Sequence, residues 1–130
     1  LPILRVVLRY TPFHQGSDEA VRILETARMQ DKFEHVLNAL FEKQEEWAKD
    51  GAPDLDKAWR IAGATGMDII KGKADRLFPG ITGVLNQDIA DLQALGVQST
   101  PTFYLDGRKL VNVSFESLQA DIRAAVAAAS

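Results

Sequence analysis

Gly96-Val97-Gln98-Ser99-Thr100-Pro101-Thr102-Phe103-Tyr104-Leu105-Asp106-Gly107-Arg108 runs from a helix stop to a strand turn. The glycine suits the left-handed position that closes a helix, and the polar residues after it cannot extend a packed face. Thr102, Phe103 and Tyr104 are β-branched or aromatic, so with Leu105 they read as a strand. Asp106-Gly107 is the dipeptide favoured by two-residue hairpins, so residues 108–111 return antiparallel. Pro101 lacks a backbone N–H and therefore belongs at the mouth of the first strand.

Working outward, residues 81–95 carry Ile81, Leu85, Asp88, Ile89, Leu92 and Leu95 on a long amphipathic helix that Gly96 caps. After the hairpin, Ser114 is placed to cap a final helix with the packing stripe Phe115, Leu118, Ile122, Ala125 and Val126. At the other end, residues 3–10 alternate, with Leu4, Val6, Leu8 and Tyr10 on one face and Arg5 and Arg9 on the other. Period two predicts an edge strand. Thr11-Pro12-Phe13-His14-Gln15-Gly16 is a loop, and Ser17 or Asp18 is expected to cap the helix that carries Ala20, Ile23, Leu24 and Ala27. Asp31 opens a second helix reaching Trp47. Asp54 caps a third, ended by Gly63 and Gly66. A fourth spans residues 67–77, weakened by Gly72 and closed by Phe78-Pro79-Gly80.

The sequence from Gly96 to Arg108, together with the aromatic-proline loop and the KFEHVLNALF run (residues 32–41), resembles the DsbA-like thiol-disulfide oxidoreductases. The resemblance implies an α/β, thioredoxin-like fold with a helical insertion over about residues 31–80, all within a single domain 1–130. It covers nearly the whole chain but begins at the family's second strand. The first strand and the Cys-x-x-Cys helix have no counterpart, so the fold is expected to be truncated at its N-terminus. The absent strand would leave a slot beside residues 3–10, to be filled by an upstream segment, a second copy or a shifted sheet.

The resemblance also locates the site. Thr100-Pro101 corresponds to the family's cis-proline loop, which implies a cis bond and substrate contacts from Ser99, Thr100 and Pro101. It matches His14 to a histidine with a structural, secondary role. The substrate implied for the parent protein is a protein or peptide disulfide, and the compartment is the periplasm or another extracytoplasmic space.

This polypeptide contains no cysteine. A thiolate is the nucleophile of disulfide exchange, so no catalytic residue lies in this chain and it is redox-inactive alone. Two other readings remain open. One is a non-catalytic thioredoxin-fold module that binds peptides or dimerises. The other is a relative of the kappa-class glutathione transferases and isomerases, whose serine would lie in the missing helix.

The remaining features are bland. With 130 residues, 46% hydrophobic content and a net charge of −3, the chain fits one domain with a real core. Nothing in that charge suits nucleic acid or anionic lipid. No apolar run reaches the roughly 20 residues of a membrane span. Leu1 reads as a processing or truncation boundary and not a natural start. Glu42, Glu45 and Glu46 with Lys43 and Lys49 form a solvated face. His35 and the Asp88/Asp91 pair offer no metal-ligand set, so neither metal nor cofactor is expected. Trp47 and Trp59 read as core aromatics.

Overall fold

The computed structural model describes residues 4–12, 16–48, 53–97, 103–111 and 113–129. Two compact units emerge, one of Tyr10–Leu95 and one of Leu1–Arg9 with Gly96–Ser130.

The first unit is helical: α1 (Ser17–Met29), α2 (Phe33–Glu42), α3 (Gln44–Trp47), α4 (Leu55–Ala64), α5 (Ile69–Asp75) and α6 (Pro79–Leu95). α1 lies at its centre and packs against α2, α4, α5 and α6. Its apolar residues repeat at helical spacing, which buries Ile23, Leu24 and Ala27 against Val36 and Leu40 of α2 and Ala58, Trp59, Ile61 and Ala62 of α4. Ile23 and Val36 are wholly buried. Each contributes about 1.5–3 kcal/mol relative to exposure.

Local chemistry explains most helix ends. The Asp54 carboxylate accepts the Lys57 N–H at 3.0 Å, and Asp68 does the same for Lys71 at 3.0 Å. Other ends differ from the sequence expectation. Gly16, with φ 81°, occupies the N-cap of α1 in place of Ser17 or Asp18. Asp31 takes a left-handed φ of 57° in the turn before α2, which starts two residues later. That helix breaks at Lys43, and only the single turn α3 continues to Trp47, whose indole N–H reaches the Leu40 carbonyl at 2.8 Å. Pro79 opens α6 instead of closing the preceding helix, because the first turn of a helix needs no N–H from it. Among the described residues, six helical segments therefore precede the hairpin where four or five were expected.

Gly72 is a packing residue and not a weak point. A Cβ there would lie 2.7 Å from Met67 Cε and 2.9 Å from Trp59 Cζ3.

In the second unit, β1 (Tyr104–Leu105) and β2 (Arg108–Lys109) form an antiparallel pair with Leu105 opposite Arg108 and Tyr104 opposite Lys109. Asp106 and Gly107 both have positive φ, 49° and 80°, as a type I′ turn requires. α7 (Phe115–Ala129) follows, and Ser114 and Ser117 cap it reciprocally, each side chain accepting the other's N–H.

One expectation fails in this unit and another holds only in part. Residues 4–10 form no strand; β1 and β2 are the only strands among the described residues. A strand exists only through a ladder, and no described segment offers residues 4–9 one. Their apolar side chains are consequently in solvent, with Val6 82% exposed. The expected stripe of α7 is covered only in part: Leu118, Ile122, Ala125 and Val126 are half-buried, none is fully buried, and Phe115 is 76% exposed.

Candidate functional site

Ser99, Thr100, Pro101 and His14, the residues singled out from the sequence, lie outside the described residues. The described chain on either side shows what presents the Ser99–Pro101 stretch. Gly96 follows the last residue of α6 with φ 68°, a conformation that ends a helix and suits glycine best. On the far side, the Leu110 N–H donates to the Phe103 carbonyl at 3.0 Å, extending the hairpin ladder back towards the loop. The described chain thus has a helix stop before this stretch and the first strand of the hairpin after it.

Flanking the His14 loop, Gly16 approaches Pro53 so closely that a Cβ would lie 2.5 Å from the proline Cγ. His35 is exposed on α2, and Glu42, Glu45 and Glu46 are exposed, as a solvated face requires. Among the described residues, no group of three or more His, Asp or Glu could hold a metal ion.

The densest polar construction of the helical unit surrounds Tyr10. Its backbone N–H donates to Asp88 Oδ2 at 3.0 Å, and its phenol donates to Glu25 Oε2 at 2.6 Å. The Arg28 Nε–H donates to the same Glu25 oxygen at 3.0 Å. Both carboxylates are buried, so these bonds offset the cost of removing charge from water. Burial pushes the Tyr10 phenol well above the ordinary tyrosine range. The hydrogen bond to Glu25 and its negative charge add to the shift, while Arg28 opposes it. A phenol this reluctant to ionise is an anchor and a poor proton donor.

A second pairing fixes α1 to the turn after α5. Arg76 grips Glu19 in bidentate fashion, with Nε and one terminal nitrogen each at 2.7 Å from a carboxylate oxygen. Arg76's hydrogen bonds hold the Glu19 carboxyl below the usual range against the opposing effect of burial. Beside it, Arg22 donates to the Arg76 carbonyl at 2.8 Å and to Thr82 Oγ1 at 3.1 Å.

Sequence reading missed both networks. Tyr10 and Asp88 were assigned to apolar stripes, and the charged members look like ordinary helix-surface residues. The single signal available was an acidic residue, Asp88, standing at an apolar position of α6.

Neither network contains a nucleophile beside a base. They hold the helices in place. A family model described as thioredoxin matches residues 3–124. The chain belongs to the thioredoxin family. That membership supports a thioredoxin-like fold and a family of general thiol-disulfide oxidoreductase type. In this thioredoxin-family chain the described residues are mostly helical, with the β1–β2 pair as the sheet.

Over 107 residues the thioredoxin-family chain is 31% identical to the Na(+)/H(+) antiporter NhaA of Herminiimonas arsenicoxydans, covering 82% of this chain. The chain spans 16% of the length of that curated relative. No described helix here is long and apolar enough to cross a membrane. No solved structure matches the chain.

Proposed function

We propose that this chain is the larger, C-terminal part of a DsbA-like thiol-disulfide oxidoreductase acting in an extracytoplasmic compartment. Its redox cysteines lie on an upstream strand and helix. In the whole protein, the upstream thiolate attacks a disulfide of a protein substrate. The substrate sulfur it bonds to becomes part of a mixed disulfide, and the other sulfur leaves as a thiolate. Ser99, Thr100 and Pro101 hold the substrate chain in extended form, in the manner of an added strand.

One observation carries the reading. A thioredoxin match over residues 3–124 coexists with an N-terminal stretch, residues 4–9, that is exposed and has no strand partner among the described residues. An incoming strand would bury Leu4, Val6 and Leu8 and pair their backbone groups. The chain contains no cysteine, so on this reading the reaction has to draw its sulfur from outside these residues. The test is to read the codons that precede Leu1. A Cys-x-x-Cys encoded within about 20–40 residues, the length of a strand and helix, is expected. An upstream reading frame without cysteine would rule the proposal out.

The antiporter match favours a second reading. A segment similar to this chain occurs within a much longer protein named as a Na(+)/H(+) antiporter. On that basis the chain is a non-catalytic thioredoxin-fold module appended to a membrane transporter. The same codons discriminate: a neighbouring series of apolar runs of about 20 residues, without a cysteine pair, would support the module over the oxidoreductase.

A further inference from the structure

In the unit of Leu1–Arg9 and Gly96–Ser130, the hairpin and α7 enclose an open cleft of about 430 Å³, lined by Leu105, Asp106, Arg108, Asp121, Ala124 and Ala125. Its geometry follows from two periodicities. Leu105 and Arg108 are direct cross-strand partners and so share one face of the hairpin. Asp121, Ala124 and Ala125 stand at i, i+3 and i+4 on one face of α7. The two alanines leave the room that larger side chains would fill. Among the described residues, the side chains of Asp106, Arg108 and Asp121 make no hydrogen bond or ion pair, so their charged groups can face a ligand.

We propose that this cleft binds a basic side chain of an extended polypeptide. Two carboxylates against one guanidinium give the lining a net negative charge, which selects a cation. The aliphatic stem of a lysine or arginine lies over Leu105, Ala124 and Ala125, and its charged head sits with Asp106 and Asp121. Arg108 is the donor for a backbone carbonyl of the same peptide. The volume lies within the range of ligand sites, about 300–1,000 Å³. The open side suits a side chain presented from a longer chain better than a free small molecule. This site needs no thiol and stands whether or not the oxidoreductase reading holds.

The probe is the capped pentapeptide Ala-Ala-Lys-Ala-Ala, titrated into the isotope-labelled 130-residue chain and followed by amide chemical shifts. Saturable shifts are expected at residues 105–108 and 121–125. Asp121→Asn should weaken binding about three- to fivefold, as loss of one partly exposed charge pair does. Ala125→Leu, which fills the cleft without altering charge, should abolish the shifts while leaving the rest of the spectrum unchanged. Equal binding of the peptide with norleucine in place of lysine would overturn the proposal. So would shifts that fall elsewhere, or binding that survives both substitutions.

Discussion

The phenol of Tyr10 donates a 2.6 Å hydrogen bond to Glu25 in the middle of α1, while the Tyr10 backbone N–H is held by Asp88 of α6. One residue therefore ties the entry of the helical unit to two of its helices. Both acceptors are buried carboxylates, so each would be costly to leave without its donor.

Tyr10→Phe keeps the ring packing and removes one donor to Glu25, which retains Arg28. The expected loss is about 1–2 kcal/mol, the cost of a hydrogen bond to a charged, largely buried group. The shift of the denaturant midpoint in a urea titration measures it. A variant as stable as the parent would mean that water or Arg28 fully replaces the phenol.

The same phenol sets an alkaline limit. Its ionisation is displaced above that of an unfolded tyrosine, so above about pH 10 the unfolded chain releases a proton that the folded chain keeps. This stabilisation is complete below pH 10 and falls as pH rises through the folded value. With two tyrosines in the chain, Tyr104→Phe leaves Tyr10 as the sole phenol. Its absorbance change near 295 nm should then appear only well above pH 10 or together with unfolding.

Glu19 behaves in the opposite sense. Its folded ionisation lies below the unfolded value, so its pairing with Arg76 stabilises the protein above the ordinary carboxylate range. That contribution is lost as pH falls through the folded value. Glu19→Gln should cost about 1 kcal/mol at neutral pH, the Arg76 side chain being partly exposed, and should flatten the acid limb of stability against pH. An unchanged acid limb would show that other carboxylates dominate it.

At Gly72 two effects compete. Alanine improves intrinsic helix propensity by about 0.8–1 kcal/mol. The new methyl, however, meets Met67 and the buried ring of Trp59 at 2.7 and 2.9 Å. Methionine can swing aside, but the tryptophan is fixed in the core, so overpacking costs about 1–3 kcal/mol and wins. Thermal unfolding of Gly72→Ala should give a lower midpoint than the parent, whereas a raised one would show that the core yields.

Helices and their punctuation were largely legible in the sequence. Asp54 and Ser114 carry their own hydrogen-bonding oxygen to the helix start, and Asp106-Gly107 specifies a turn without help from the rest of the chain. Features that depend on a distant partner were not. Alternation in residues 4–10 expresses a capacity to pair, and no ladder forms without a neighbouring strand. Helical periodicity placed Asp88 on the inner face of α6, but no local pattern shows that a backbone N–H 78 positions away satisfies it. Gly72 reads locally as a weak helix residue, and only the approach of Trp59 reveals why a side chain is excluded.

The most direct measurement is dithiothreitol-driven reduction of insulin disulfides, comparing the 130-residue chain with the upstream-extended polypeptide that the proposal requires. Turnover by the longer polypeptide alone, abolished when its first upstream cysteine is replaced by serine, is the predicted result. A longer polypeptide that folds yet reduces insulin no faster than the dithiothreitol background would contradict the proposal that this chain is part of a thiol-disulfide oxidoreductase.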